Sequence, residues 1–388
     1  MSTRHEVVAN PFADLDITRL RRHTGAKWSV YPDDVLPLWV AEMDADIARP
    51  IIAAVQEALE LGDTGYPFGP RYPEAIASFA SDRWGWSFDT AATAQVTDVM
   101  TGIREVVRAV SDQETPIVVT PPVYPPFIGT AHTLSRAIVN APLDEQGRLD
   151  PVTLEAAFKQ ATSGGHGAVL ILSNPHNPTG TVHTRAELEM VARLARQYGA
   201  RVISDEIHSP LVMPTSTYTP YLSVAGAESD FAVVSASKGW NLAGFKAAVV
   251  IAGADAAEDL KSQAVRGGGH AGHIGVIAHT AAFNNARDWL DAAVAGIDAN
   301  RVLLADLLET YLPDARYQMP EGSYLAWVDC RALGLGDEPS TVFLDKCRVA
   351  LNAGSTFGEE GKGFVRLNLA TSPSILEDAV KRMGTVRS

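Results

Sequence analysis

Cysteine is scarce. The 388 residues contain two, Cys330 and Cys347, with no Cys-x-x-Cys pair and no cluster at metal-ligand spacing. A disulfide framework is therefore excluded, and a chain long enough to bury a large core does not need one. Two reduced, buried thiols are expected. Long apolar runs are missing as well. The longest, such as Ala168–Leu172 and Ala247–Ala252, fall far short of the roughly 18 residues of a membrane span. The stretch from Met1 to Val8 carries charges and no apolar core, so no signal peptide is read there. Basic residues are outnumbered: 32 Lys and Arg stand against 46 Asp and Glu, a net charge of −14. That balance repels nucleic acid and anionic membranes and excludes both as main partners. A soluble cytoplasmic protein is expected.

Several site signatures are also missing. No Gly-x-Ser-x-Gly elbow occurs, so a serine hydrolase is unsupported. Gly267-x-Gly269-x-x-Gly272 matches a dinucleotide-binding pattern in letters only. It follows a stretch that reads as a helix, Ala256–Val265, whereas that pattern has to follow a strand. His270 and His273 have no acid or thiol beside them in sequence, so no metal site is expected.

The chain is 46% apolar and 20% charged, which excludes a disordered or fibrous protein. Short β-rich runs alternate with helical patterns. Ile117–Thr120, Ala168–Ser173, Arg201–Ser204, Phe231–Ser235 and Ala247–Ala252 read as buried strands. Arg185–Tyr198 reads as a helix, with Leu188, Val191, Ala192 and Ala195 on one face and Gly199 as its stop. This alternation predicts an α/β protein with a mainly parallel sheet. From about Ala286 the pattern changes: a long helix from Trp289 to Tyr311 precedes strands at Ala326–Val328 and Phe364–Leu369. The expected organisation is an N-terminal arm over 1–47, a large domain over 48–285 and a smaller C-terminal domain over 286–388.

In parallel sheets, ligands collect at the carboxyl ends of strands. Three consecutive predicted strands end in chemistry-bearing residues. After Ser173 come Asn174-Pro175-His176-Asn177-Pro178-Thr179-Gly180; after Ser204 come Asp205-Glu206-Ile207-His208; and Ser235-Ala236-Ser237-Lys238 closes the third. Singly these are a turn, a helix cap and a surface lysine. Together they suit one chemistry, a lysine Schiff base to a pyridine-aldehyde cofactor whose ring nitrogen faces an acid.

With these residues in view, the chain resembles the fold-type-I pyridoxal 5′-phosphate (PLP) enzymes of the class I/II aminotransferase superfamily. Asn174–Gly180 is similar to the superfamily's Asn-Pro loop, and Ser235–Lys246 to its lysine segment. Within it, Trp39-Val40-Ala41-Glu42-Met43-Asp44 and Asp205-Glu206-Ile207-His208-Ser209 resemble the MalY/PatB branch of cystathionine and cysteine-S-conjugate β-lyases. Glu42, Pro210 and Gly239-Trp240 depart from that branch's usual wording.

The resemblance implies an aspartate aminotransferase-like fold with PLP as cofactor. It makes Lys238 the Schiff-base lysine and Asp205 the partner of the ring nitrogen. Asn177 and His208 would hydrogen-bond the phenolic oxygen, and Tyr124 would stack on the ring. Gly102 and Ile103, ahead of a helical stretch ending near Val110, would meet the phosphate with Ser235, Ser237 and Lys246. Tyr66 would reach the phosphate of a partner subunit, which implies a homodimer. Arg366 would clamp the substrate α-carboxylate, with Asn177 and Tyr124 beside the substrate. The implied reaction is β-elimination from a sulfur amino acid, giving thiol, pyruvate and ammonia. A PLP-dependent aminotransferase shares the same residues, and a non-catalytic regulatory protein on this fold is the third alternative.

Overall fold

The computed structural model describes residues 8–262 and 270–387. The chain forms two compact units. The larger comprises Pro50–Asn285 together with Glu321–Ser323; the smaller takes the chain up to Arg49, Ala286–Pro320 and everything from Tyr324 onward.

The larger unit is built on a seven-stranded sheet. Its strands are β1 (Thr93–Val96), β2 (Ile117–Val119), β3 (Ile138–Asn140), β4 (Ala168–Ser173), β5 (Ala200–Asp205), β6 (Phe231–Val234) and β7 (Ala248–Ala252). They lie in the order β1-β7-β6-β5-β4-β2-β3. β7 is antiparallel to both its neighbours, and the β6-β5-β4-β2-β3 run is parallel throughout. β4 and β6 are buried along their whole length, as strands covered on both faces must be.

Alternation along the strands sorts the core into two layers. Val169, Ile171, Ile203 and Val233 pack with Val99, Ile103, Val106 and Val107 of helix α1 (Val99–Val110). Leu170, Leu172 and Val202 pack with Leu188, Val191 and Ala195 of helix α2 (Arg185–Gln197). Each such side chain, fully buried, contributes roughly 1.5–3 kcal/mol. α2 starts at a capping box between Thr184 and Glu187, which satisfies otherwise orphaned N–H groups.

Over its described part, residues 256–262, the helix expected over Ala256–Val265 is replaced by turns. A short 3₁₀ turn occupies Asp259–Lys261, and Val265, Gly267 and Gly269 lie outside the described residues. The Gly272 N–H donates to the Lys246 carbonyl, and helix α3 (His273–Asn285) follows directly.

In the smaller unit, the 25-residue helix α4 (Arg287–Tyr311) precedes an antiparallel sheet. Its strands are β8 (Arg316–Tyr317), β9 (Leu325–Asp329), β10 (Asn352–Ala353) and β11 (Phe364–Asn368), in the order β10-β11-β9-β8. The N-terminal arm is knitted into this unit. Leu36–Pro37 pairs in parallel with Val349–Ala350, and the Asn368 amide donates to the carbonyls of Val40 (2.8 Å) and Glu42 (2.6 Å). A buried ion pair joins Lys27 to Asp44 at 2.8 Å, and the Trp28 indole N–H donates to the same carboxylate at 2.7 Å. These extra hydrogen bonds offset the desolvation of a buried pair. Cys330 and Cys347 are buried and unbridged. Among the described residues no helix is long and apolar enough to cross a membrane.

Candidate active site

The register of the large sheet brings three segments to one edge. Ser173 of β4 stands opposite Asp205 of β5, and Asp205 stands opposite Val233 of β6. The strands end nearly level, so Asn174–Gly180, Glu206–His208 and Ser235–Lys238 emerge side by side.

Strand alternation puts Asp205 on the face shared by Ile203 and α1, where Tyr124 also packs. The Tyr124 ring stands edge-on to Phe127, with centroids 5.7 Å apart. The Asp205 carboxylate is buried and accepts the Ile207 N–H at 3.1 Å. Burial pushes this carboxyl up to about 7, against the opposing pull of the Ile207 N–H and the Lys238 charge.

The Asn177 loop is held from within. Ser173 Oγ donates to the Pro175 carbonyl at 3.0 Å and accepts the Asn177 N–H at 3.3 Å. The Asn174 amide donates to the Thr219 carbonyl at 3.0 Å. His176 sits between Thr179 (3.0 Å) and Thr120 (3.4 Å), and burial depresses it to about 3, so it is neutral at ordinary pH. Asn177 and His208 are both buried, and His208 Nδ1 lies 3.0 Å from Ser323 Oγ.

The residues expected around a phosphate form a second group. Ser235 Oγ donates to the Ala247 carbonyl at 2.8 Å and lies 3.1 Å from Ser237 Oγ. Lys246 is exposed and pairs with Asp98 at 3.2 Å. Asp98 is the N-cap of α1 and accepts the Thr101 N–H at 2.8 Å. The helix therefore begins at Val99, not after Ile103 as the sequence had suggested. The cap is the physical reason, because its carboxylate satisfies a first-turn donor and lets the helix start two residues before Thr101. Gly102 lies in the first turn and gives its N–H to the Asp98 carbonyl at 2.9 Å. A Cβ there would meet Val250, Val96 and Val233 at 3.0–3.2 Å, so glycine lets the start of α1 press against the sheet.

Two further expected residues have surroundings of their own. Tyr66 is 91% exposed in the larger unit, next to Phe68 at 97%. Arg366 belongs to the smaller unit. There it is buried on β11, over the Phe357 ring, and donates to the Trp39 carbonyl at 3.4 Å. A charged residue in a strand-like run usually faces solvent, and this one does not.

Three contributors escaped the sequence reading. Asp98 was legible as a capping residue ahead of an apolar run. The buried Tyr72–His279 pair (3.0 Å) and Ser323 carried no local signal, since their partners are 207 and 115 residues away. The donor set as a whole fits a phosphorylated pyridine aldehyde. It offers a buried carboxylate with one protein donor for a ring N–H, a neighbouring lysine amine, and serine hydroxyls with a helix start for a dianion.

Comparisons with known proteins agree with this chemistry. Residues 30–383 match the model of the family described as aminotransferase class I and II. A Mycobacterium leprae protein provisionally named a cystathionine β-lyase is 49% identical, covering 97% of this chain and 98% of its own length. The cystathionine β-lyase PatB of Bacillus subtilis is 32% identical over 90% of this chain and 92% of its own. A Corynebacterium diphtheriae crystal structure, provisionally described as a PLP-dependent β-cystathionase, superposes with a TM-score of 0.90. It is 31% identical and covers 97% of this chain and 98% of its own.

Proposed function

The chain belongs to the class I and II aminotransferase family, and from that membership we propose that it is a PLP-dependent carbon–sulfur β-lyase of the cystathionine β-lyase type. The observation that carries this reading is the level ending of β4, β5 and β6, from which the Asn177, Asp205 and Lys238 segments emerge together. When bound, PLP supplies an aldehyde for an amine and an electron sink for a carbanion at the substrate Cα.

The chain's own residues do the rest. Lys238 would hold PLP through its amine, and the same amine is the base that would take the proton from the substrate Cα. Asp205 would hold a proton on the ring nitrogen, and that positive charge would draw its carboxyl down from about 7. Asn177 and His208 would hold the phenolic oxygen, with Tyr124 against the ring. Ser235, Ser237 and Lys246 bind the phosphate with the start of α1, including the Gly102–Ile103 turn. Arg366 binds the substrate α-carboxylate as a two-pronged donor. The Cα proton would pass to Lys238, the Cβ–S bond would break with its electron pair on sulfur, and the thiolate would take the proton from Lys238 to leave as a thiol. The three-carbon remainder takes up water to give pyruvate and ammonia. Exposed Tyr66 and Phe68 support a homodimer in which Tyr66 reaches the partner's phosphate. A cytoplasmic location accompanies this reading.

The test is pyruvate release from L-cystathionine with and without a keto-acid acceptor. Release independent of the acceptor is expected. Turnover only with an acceptor would replace the lyase by an aminotransferase. A purified protein with no visible absorbance, and none gained on adding PLP, would remove both.

A further inference from the structure

Glu321–Ser323 is a strap of three residues that belongs to the larger unit although it lies far along the chain. Its backbone is tied to both segments that would face the phenolic oxygen. The N–H groups of Glu321 and Gly322 donate to the Gly180 carbonyl, each at 2.9 Å, at the end of the Asn177 loop. The Ser323 N–H donates to the Leu211 carbonyl at 2.8 Å, and the Met213 N–H donates to the Glu321 carbonyl at 2.9 Å, both just beyond His208. The Glu321 carboxylate accepts the Val182 N–H at 2.9 Å and the Arg148 guanidinium at 3.3 Å. A Cβ on Gly322 would meet Pro175 and Val182 at 3.0 Å, so the strap lies flat against the loop.

Ser323 itself has φ +68°, in the left-handed region, and is fully buried. Glycine would hold that backbone at lower cost. The backbone therefore gives no reason for serine, and the hydroxyl does. Among the described residues, His208 Nδ1 at 3.0 Å is the hydroxyl's one hydrogen-bond partner. Two arrangements are possible. If Nδ1 carried a proton, in the neutral ring or in the imidazolium, Ser323 Oγ would accept it and leave its own O–H buried without an acceptor. If Ser323 donates, only oxygen lone pairs go unused. A buried donor without a partner costs about 1–3 kcal/mol, more than an unused lone pair, so the second arrangement wins.

We infer that Ser323 is a positioning residue that donates to His208 Nδ1, fixes the neutral Nε2–H tautomer and so turns a donor toward the phenolic oxygen of PLP. This rests on the PLP reading above for the cofactor end of the contact.

The experiment uses holoenzyme labelled with ¹⁵N-histidine, wild type beside Ser323→Gly and Ser323→Ala. Glycine removes the hydroxyl and relaxes φ; alanine removes the hydroxyl and keeps the backbone cost. Long-range ¹H–¹⁵N correlations should report the Nε2–H tautomer for His208 in the wild type and lose it in both variants. The pH midpoint of the bound cofactor's visible absorbance should move by about half a unit or more in both. PLP affinity should fall about fivefold, which is the loss of one hydrogen bond. A wild-type Nδ1–H tautomer, or a Ser323→Gly protein with tautomer and midpoint unchanged, would overturn the inference. A protein that takes up no PLP refutes the cofactor reading and the aim of Nε2; the tautomer, measured on the same sample, still decides the role of Ser323.

Discussion

Asp205 and Glu206 are neighbours in sequence and face opposite sides of the large sheet. Asp205 shares the α1 face with Ile203, while Glu206 accepts the Ser204 hydroxyl (3.0 Å) and the N–H of Tyr221, a residue of the α2-side core (2.8 Å). Burial pushes both carboxyls up to about 7. Their surroundings differ in purpose. Glu206 takes a hydroxyl and a backbone N–H on the α2 side of the sheet, whereas Asp205, on the α1 side, accepts the Ile207 N–H.

That contrast sets the first prediction, for the cofactor-free protein. An aspartate with an ordinary unfolded value near 3.9 and a folded value near 7 binds its proton more tightly when folded. Its penalty is full above about pH 7 and fades as pH falls toward about 4. Asp205→Asn should therefore be more stable than wild type at pH 8, by on the order of 1–4 kcal/mol, with the gap closing toward pH 4. Urea unfolding at several pH values measures it, and parallel curves for the two proteins would refute the assignment. The same variant should bind PLP more weakly.

The second concerns Gly102. Alanine gains about 1 kcal/mol of helix propensity there. The added Cβ would press on Val250, Val96 and Val233 at 3.0–3.2 Å, and these are fully buried β-branched side chains with little freedom to move. Overpacking costs about 1–3 kcal/mol, so against that gain Gly102→Ala should lower stability by up to about 2 kcal/mol. A stabilised variant would show that α1 can lift off the sheet at no cost.

Much of this was legible from residues alone, for identifiable reasons. β4, β6 and β7 are almost wholly apolar runs, as strands buried on both faces tend to be, while β5 was marked by Val202-Ile203 at its centre. Edge strands β1 and β3 carry polar residues such as Gln95 and Asn140, and they were invisible by the same logic. Local segments with strong backbone chemistry, such as Asn174–Gly180, announced themselves. Ser323 did not, because its importance depends on a contact 115 residues away and on a backbone angle that no propensity encodes.

The third prediction isolates Lys238. Lys238→Ala should retain the fold by circular dichroism, lose acceptor-independent pyruvate release and lose the visible absorbance of bound PLP. Lys238 is partly buried and lies outside the tightly packed strands, so stability should change by less than about 1 kcal/mol. A variant that keeps the visible band would move the amine role to another lysine.

The fourth tests whether one site needs two chains. Tyr66 and Phe68 are 91% and 97% exposed, and with Leu61 at 75% they form an apolar stretch that a lone chain leaves in water. If Tyr66 completes the partner's phosphate site, Tyr66→Ala should weaken PLP binding without lowering the stability of the cofactor-free chain. Losing one charge-assisted hydrogen bond, about 1.5–3 kcal/mol, corresponds to roughly a tenfold to hundredfold drop in affinity. The sharper test mixes Tyr66→Ala with Lys238→Ala and lets subunits exchange. In the mixed dimer, one site has both defects and the other has Lys238 with an intact Tyr66 from the partner. At PLP too dilute to fill Tyr66→Ala sites, activity should therefore rise above that of either variant alone, toward one quarter of wild type at equal, random mixing, since about half the dimers are mixed and each carries one good site. No recovery on mixing, or an active monomer by sedimentation, would place Tyr66 outside the partner's site.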